Sequence, residues 1–108
     1  MVRNQAATIS RRMNRDTAIA KLKENADAVR ALGATALYLY GSTARDEATP
    51  ASDVDVFVEY QPGFSLFELA GIKVLLEEEL AREVHVTTRD SLHPLMKPGI
   101  GEDAIRIF

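Results

Sequence analysis

The spacing of apolar residues predicts one long helix before the first strand of the chain. Apolar side chains recur every three or four positions from residue 17 to residue 32, the spacing that puts them on one helix face. Asp16 is a residue type favoured at a helix N-cap, and Gly33 stands where a helix often ends in a left-handed residue. We therefore predict an amphipathic helix over residues 17–32.

The apolar pattern also predicts four strands of different character. Residues 36–40 are almost wholly apolar, which suits the interior of a sheet. Residues 53–59 and 83–87 alternate between polar and apolar positions, as strands with one buried face do. The apolar tail at residues 104–108 predicts a short terminal strand.

A second long helix is predicted by its own start signal. Ser65 and Glu68 have the spacing of a capping box, and Phe64 precedes them as half of a hydrophobic staple. Shorter helical turns are predicted at two further places, residues 43–47 and residues 90–97. Helix, two strands, helix and strand with short connections predict an α/β sandwich around a small sheet.

Composition excludes several classes of function. The chain has 108 residues, enough for one domain, and no cysteine, which excludes disulfides and thiolate metal sites. Its two histidines, His85 and His93, are too few for a histidine-rich zinc site. No apolar run approaches the roughly 18 residues of a membrane span, and no signal-peptide pattern opens the chain. We therefore expect no membrane association and a cytoplasmic location.

Charge is unevenly distributed along the chain. The net charge of −3 argues against a dedicated nucleic-acid binder, so we expect no direct nucleic-acid contact. The first fifteen residues nevertheless carry four arginines and no acidic residue. We divide the chain into a basic N-terminal arm, residues 1–15, and one domain, residues 16–108. The arm is either a solvated tail or a surface for an acidic partner or RNA.

The clearest candidate chemistry is a pair of aspartates on the second predicted strand. Asp53 and Asp55 stand two residues apart, so their side chains point the same way about 7 Å apart. At an effective dielectric near 20, such charges repel by roughly 2 kcal/mol. A divalent cation relieves this repulsion. Mg²⁺ suits the arrangement, because it accepts one or two carboxylates together with waters and phosphate oxygens.

The turn ahead of this strand is a candidate phosphate site. Gly41 permits close backbone approach, and Ser42 with the amides after it can donate to phosphate. Arg45 can add a charge-assisted contact. A P-loop is excluded because its Gly-Lys-Ser/Thr ending is absent, and an EF-hand because its loop glycine and terminal glutamate are absent. The pattern therefore predicts a metal–nucleotide site.

Together these residues resemble the signature of minimal nucleotidyltransferases, the small single-domain branch of the DNA polymerase beta-type nucleotidyltransferase superfamily. Gly41-Ser42, ten intervening residues and Asp53-Val54-Asp55 match the family pattern Gly-Ser-x10-Asp-x-Asp. The resemblance covers most of residues 16–97. It implies the nucleotidyltransferase fold, a small mixed β-sheet flanked by helices, with ATP as substrate and Mg²⁺ held by Asp53 and Asp55. The nucleotide-binding residues that it implies are Gly41, Ser42, Arg45 and Ser52.

The resemblance also implies a partner. Many minimal nucleotidyltransferases are antitoxins encoded beside a small helical HEPN-type ribonuclease. The implied function is an antitoxin that joins a HEPN-type toxin in a hetero-oligomer and transfers AMP from ATP to a tyrosine hydroxyl of that toxin. The alternative is a catalytically impaired protein that inhibits its partner by binding alone. Transfer to a small molecule would require an acceptor domain for which 108 residues leave no room.

Two positions depart from the family pattern. His85 stands where the family carries a third catalytic carboxylate, and imidazole is a poor ligand for Mg²⁺. Either His85 acts as the general base, since histidine titrates near neutral pH, or catalysis is lost and binding kept, or His85 is a surface residue of an edge strand. Glu83 shares its face and is a substitute carboxylate about 7 Å along the strand. Asp46 replaces a common glycine, and an acid there repels phosphate unless it turns away.

Overall fold

The computed structural model of the protein describes residues 13–92 and 103–108. Within these ranges the elements follow one another as α1 Arg15–Glu24, α2 Ala26–Ala31, β1 Ala34–Tyr40, α3 Gly41–Ala44, β2 Val54–Tyr60, α4 Leu66–Leu80, β3 Val84–Thr88, a 3₁₀ turn Arg89–Ser91 and β4 Ile105–Arg106. The strands form one sheet in the order β3-β2-β1-β4. β1 is antiparallel to β2 and β4, whereas β2 and β3 are parallel and joined through α4. The predicted small mixed sheet with helices is confirmed.

Side-chain alternation gives the two faces of the sheet different roles. One face packs against the helices and forms the main core, whose fully buried strand residues are Leu37, Leu39, Val54, Val56, Val58 and Val84. Because neighbouring positions point to opposite faces, Asp55 and His85 lie on the other face with Tyr40. The core therefore holds the valines of β2 in place, and that fixes which way the carboxylate of β2 points.

The helix predicted over residues 17–32 is two helices. α1 is capped by Asn14, whose side chain accepts a backbone hydrogen bond of 2.8 Å, so the prediction of Asp16 as N-cap is wrong. The helix breaks at Asn25, whose side-chain amide donates to the carbonyl of Lys21 at 2.9 Å. Asparagine competes for backbone groups in this way and interrupts helices. The apolar spacing does not register the break, because both helices bury the same side.

The other predicted elements are present with small shifts in their bounds. The helix expected at residues 43–47 is a single turn, Gly41–Ala44, and it begins at the glycine of the motif. Of the helical turns expected at residues 90–97, the structure describes the 3₁₀ turn Arg89–Ser91. The rest of that prediction, with His93, lies outside the described residues.

The start of α4 confirms the predicted capping box. The Ser65 hydroxyl accepts from the amide of Phe67 at 3.2 Å, and Glu68 accepts from the amide of Ser65 at 2.7 Å. Its hydrogen bonds from Ser65, the side chain foremost, hold the pKa of Glu68 below its usual value. At 15 residues α4 is the longest helix described, and no described helix is long and apolar enough to cross a membrane.

We expect Ser65→Ala to lower the free energy of unfolding by about 1 kcal/mol, because α4 loses a side-chain acceptor for its first amides. Urea denaturation followed by circular dichroism measures the loss. Glu68→Gln is the matched control, since glutamine keeps the reciprocal bond to the cap, and we expect it to cost less. Equal losses in the two variants would contradict the role of the serine hydroxyl.

Candidate metal and nucleotide site

The pairing of three strands assembles the candidate site on the face away from the helices. In the parallel pair β2–β3, Asp55 stands opposite His85. In the antiparallel pair β1–β2, Tyr40 stands opposite Asp55. Asp53 and Glu83 immediately precede these two parallel strands and therefore lie at the same end of the sheet. The topology thus brings together residues that are about thirty positions apart in the sequence.

His85 lies at the centre of this group, and its two ring nitrogens face different carboxylates. Nε2 lies 3.2 Å from Oδ2 of Asp53 and 3.5 Å from Oε2 of Glu83. Nδ1 lies 3.5 Å from Oδ1 of Asp55. The side chains therefore close the backbone spacing of roughly 7 Å between Glu83 and His85. One potential ligand atom from each of Asp53, Glu83 and His85 lies within 4.8 Å of the others, a spacing that fits a shared metal ion.

Asp55 is the most enclosed carboxylate of the group. Its side chain is 28% exposed, against 36% for Asp53 and 60% for Glu83. Burial is the main cause that raises the pKa of Asp55; the positive charge of His85 opposes this shift, and the charge of Asp53 adds to it. A bound cation would favour the ionised carboxylate and relieve this cost. The donor set and its electrostatics therefore fit a divalent metal.

Gly41 is the point at which the turn meets the carboxylates. Its φ is 76°, in the left-handed region, and a Cβ at this position would lie 2.6 Å from Oδ2 of Asp55. Asp55 thus directs Oδ1 toward His85 and Oδ2 toward the turn predicted to bind phosphate. The close backbone approach predicted for Gly41 has a steric basis, because a residue with a Cβ would force this carboxylate oxygen to move.

Arg45 and Ser42, two further residues predicted to bind the nucleotide, have hydrogen-bond partners near the turn. Arg45 lies next to the turn, but its guanidinium is bonded to Glu47 at 2.8 Å and lies 3.6 Å from Asp103. The Ser42 carbonyl accepts from the amide of Glu47 at 2.8 Å, which closes the turn after α3. A phosphate would therefore compete with Glu47 for Arg45. The predicted phosphate contact of Ser42 stays a prediction, and Arg45 is held by acidic neighbours.

Ser52 has local partners in the loop before Asp53. Its hydroxyl accepts from the amide of Thr49 at 2.9 Å, and its carbonyl accepts from Arg82 at 3.4 Å. These contacts shape the loop that delivers Asp53 to the start of β2. The predicted nucleotide contact of Ser52 stays a prediction, and its observed contacts are those of a loop-shaping residue.

Asp46 follows α3 by two residues and contacts the start of α1. Its φ of 59° is left-handed, which accounts physically for a position where glycine is common. Its carboxylate accepts a hydrogen bond of 3.0 Å from the amide of Arg15 at the start of α1. This carboxylate therefore lies at the N-terminus of α1, where negative charge is favourable.

One anchoring pair was missed by the sequence analysis. The ammonium of Lys73 donates to Glu77 at 2.8 Å and to the carbonyl of Val84 at 2.8 Å, and Glu77 accepts from the amide of Val84 at 3.1 Å. Both backbone groups of Val84 are thus held by α4, directly between Glu83 and His85. The four-residue spacing of Lys73 and Glu77 predicts that they pair on a helix, but it does not indicate that both residues also bond to Val84.

Comparison with known proteins identifies the family. The family profile described as nucleotidyltransferase domain matches residues 22–107. A Methanocaldococcus jannaschii protein provisionally named protein adenylyltransferase MJ0435 is 43% identical over 70 residues, which cover 65% of this chain and 75% of that protein. A second protein of that organism, provisionally named protein adenylyltransferase MJ0126, is 37% identical over 70 residues, covering 64% and 71%.

Solved structures agree with the predicted fold. A provisionally identified minimal nucleotidyltransferase matches with a TM-score of 0.76 at 29% identity, over 86% of this chain and 95% of that chain. A toxin–antitoxin complex with AMP-PNP matches with a TM-score of 0.66 at 15% identity, over 80% and 72%. A tri-AMPylated Shewanella oneidensis HEPN toxin in complex with its MNT antitoxin matches at 0.59 and 13%, over 80% and 68%. These last two likenesses show a shared fold. The chain belongs to the nucleotidyltransferase domain family and has the fold of a minimal nucleotidyltransferase.

Proposed function

We propose that this protein is an adenylyltransferase that uses Mg²⁺ and ATP and acts as the antitoxin of a HEPN-type toxin. In a hetero-oligomer with the toxin, it transfers AMP to a tyrosine hydroxyl of that partner. The observation that carries the proposal is the contact of one carboxylate of the pair with the turn predicted to bind phosphate, where Oδ2 of Asp55 lies against Gly41. Family membership and the shared fold with toxin–antitoxin complexes support it.

The proposed chemistry follows from the positions of the site residues. Asp53 and Asp55 would hold Mg²⁺, which when bound neutralises charge on the triphosphate and positions it. The backbone at Gly41 and the hydroxyl of Ser42 would bind phosphate oxygens. The acceptor oxygen attacks the α-phosphorus, the bond from that phosphorus to the bridging oxygen breaks, and pyrophosphate leaves. The acceptor proton passes to water on the open side of the site, where His85 and Glu83 are both more than half exposed.

A second candidate function is inhibition of the partner by binding alone. The observation in its favour is the imidazole of His85, which contacts all three carboxylates at the place of the third family carboxylate. Imidazole is a weak ligand for Mg²⁺, so transfer could be lost while nucleotide and partner binding persist. This candidate predicts a stable complex without chemical modification of the partner.

Intact-mass spectrometry of a HEPN-type partner tests the proposal. The purified partner is incubated with this chain, Mg²⁺ and one nucleoside triphosphate at a time. We expect the partner's mass to increase by one or more adenylyl groups with ATP, and peptide sequencing to locate them on tyrosine. An unchanged mass in a complex that nevertheless forms would refute transfer and support inhibition by binding alone.

A further inference from the structure

We infer that Asp53, Glu83 and His85 form a binding site for a divalent transition-metal ion, and that this site binds Zn²⁺ more tightly than Mg²⁺. The inference deepens the proposed function, because it names the ion that these three residues select. It rests on the proposed function only for the location of the site. One imidazole nitrogen and two carboxylate oxygens converge there within 4.8 Å. Three protein ligands and an open position are the donor count of catalytic zinc sites.

The separations of the His85 nitrogen from the two carboxylate oxygens suit a tetrahedral ion. For bonds of about 2.1 Å, the ligands of a tetrahedral ion lie about 3.4 Å apart. Nε2 of His85 lies 3.2 Å from the Asp53 oxygen and 3.5 Å from the Glu83 oxygen, which bracket this value. Adjacent ligands of an octahedral Mg²⁺ lie about 3.0 Å apart at the same bond length. Two of the donor separations therefore suit a tetrahedral ion, and the donor atoms of all three residues lie within 4.8 Å of one another.

The donor types favour a transition metal as well. Mg²⁺ prefers oxygen ligands, whereas imidazole suits zinc and its neighbours, and mixed nitrogen–oxygen sites bind zinc more tightly than manganese. Replacing the family's third carboxylate by His85 therefore changes which ion the position selects. Glu83 supplies the second negative charge, so the site retains two carboxylates for a doubly charged ion.

The second ring nitrogen of His85 also faces a carboxylate. Nδ1 of His85 faces Oδ1 of Asp55 at 3.5 Å. Metal-binding histidines usually direct the second ring nitrogen to a carboxylate or carbonyl, which fixes the tautomer and orients the ring. Asp55 can fill this role while Oδ2 stays at the Gly41 turn. The Mg²⁺ of the nucleotide and the transition metal would then share Asp53.

The backbone that carries Glu83 and His85 is held rigidly. Val84, between them, bonds to Lys73 through its carbonyl and to Glu77 through its amide. The carbonyl of Glu83 accepts from the amide of Val54 at 3.1 Å. A site built on a fixed strand keeps its ligands in place before the ion arrives, which favours tight and selective binding.

Isothermal titration of the full chain with ZnCl₂ or MgCl₂, without nucleotide or partner, tests the inference. We expect one Zn²⁺ per chain, with a Kd at least about 100-fold lower than that for Mg²⁺. His85→Ala and Glu83→Gln should each weaken Zn²⁺ binding by about 100-fold or more, and Asp55→Asn by about 10-fold to 100-fold. His93→Ala changes the other histidine of the sequence and should leave the Kd unchanged.

Nuclear magnetic resonance of the imidazole gives a second readout that does not depend on affinity. In long-range proton–nitrogen spectra, Zn²⁺ should shift Nε2 of His85 strongly, while Nδ1 keeps its proton. Metal attached at Nδ1, or Zn²⁺ binding that survives His85→Ala, would overturn the inference. So would equal affinities for Zn²⁺ and Mg²⁺ in the unmodified chain. The Zn²⁺ titration contains no ATP and does not measure transfer. Intact Zn²⁺ binding, together with no transfer in the separate mass-spectrometry experiment, would therefore refute only the proposed function.

Discussion

Asp53→Asn is expected to lower the rate of adenylyl transfer by about a thousandfold while leaving the fold intact. A metal-held charge contributes several kcal/mol to the stabilisation of a phosphoryl-transfer transition state, and about 1.4 kcal/mol corresponds to a tenfold change in rate. Asparagine keeps the size of the side chain but removes its charge and one carboxylate oxygen. The expected loss therefore comes from the metal ligand and not from packing.

Stability should respond little to this change. The Asp53 side chain is 36% exposed, and its charge is among the causes that raise the pKa of its neighbour Asp55. Removing that charge relieves repulsion between the two carboxylates and removes an ion-pair partner of His85, two effects of opposite sign. We expect the free energy of unfolding to change by less than about 0.5 kcal/mol.

The measurement is the initial rate of AMP transfer from labelled ATP to the partner. Asp27→Asn is the matched control, because Asp27 is a fully exposed carboxylate on α2 whose described ion-pair partner is Arg30. We expect this control to transfer at the rate of the unmodified chain. A rate above about one tenth of normal in Asp53→Asn would refute the assignment of Asp53 as a metal ligand.

The elements that could be predicted from the sequence depend on short-range rules. The capping box needs only Ser65 and Glu68 three positions apart, and the structure forms it. The outward direction of Asp55 needs only the alternation of side chains along β2, with Val54 and Val56 in the core. Gly41 was assigned to a close backbone approach from a dipeptide, and in the structure a Cβ at this position would lie 2.6 Å from Oδ2 of Asp55.

What could not be predicted depends on how distant segments meet. The family resemblance placed His85 at the position of the third carboxylate. Its distances to Asp53 and Asp55, however, depend on the parallel register of β2 and β3, which neither strand gives alone. The anchoring of Val84 depends on the rotation of α4 against β3. The break at Asn25 was missed for a different reason. The apolar spacing continues through Asn25, whereas its side chain bonds to the carbonyl of Lys21 and interrupts the helix.

Gly41→Ala is expected to lower the free energy of unfolding by about 1.5–3.5 kcal/mol, the largest stability effect that we predict. Two causes add. A residue with a Cβ loses about 1–2 kcal/mol in the left-handed region that Gly41 occupies. The new Cβ would also lie 2.6 Å from Oδ2 of Asp55. Because this oxygen is the end of a side chain that can rotate away, the contact adds the cost of an off-rotamer side chain, about 0.5–1.5 kcal/mol.

The same substitution should impair the site, because the carboxylate must move to make room. Asp55 lies between the turn and His85, so displacing Oδ2 disturbs the place where metal and phosphate are proposed to meet. We expect the affinity for ATP with Mg²⁺ to fall by about tenfold or more, since a misplaced charge-assisted contact is worth at least about 1.4 kcal/mol.

Gly63→Ala separates the two causes. Gly63 has a φ of 90°, also left-handed, but a Cβ there would meet no atom within 4 Å. This control therefore carries the conformational cost of about 1–2 kcal/mol alone and should leave ATP binding unchanged. Urea denaturation and ATP titration of both variants measure the difference, which isolates the contact with Asp55. Equal losses of stability and unchanged ATP binding in both variants would show that the Asp55 carboxylate moves aside freely, and would contradict a fixed Asp55 at the phosphate turn.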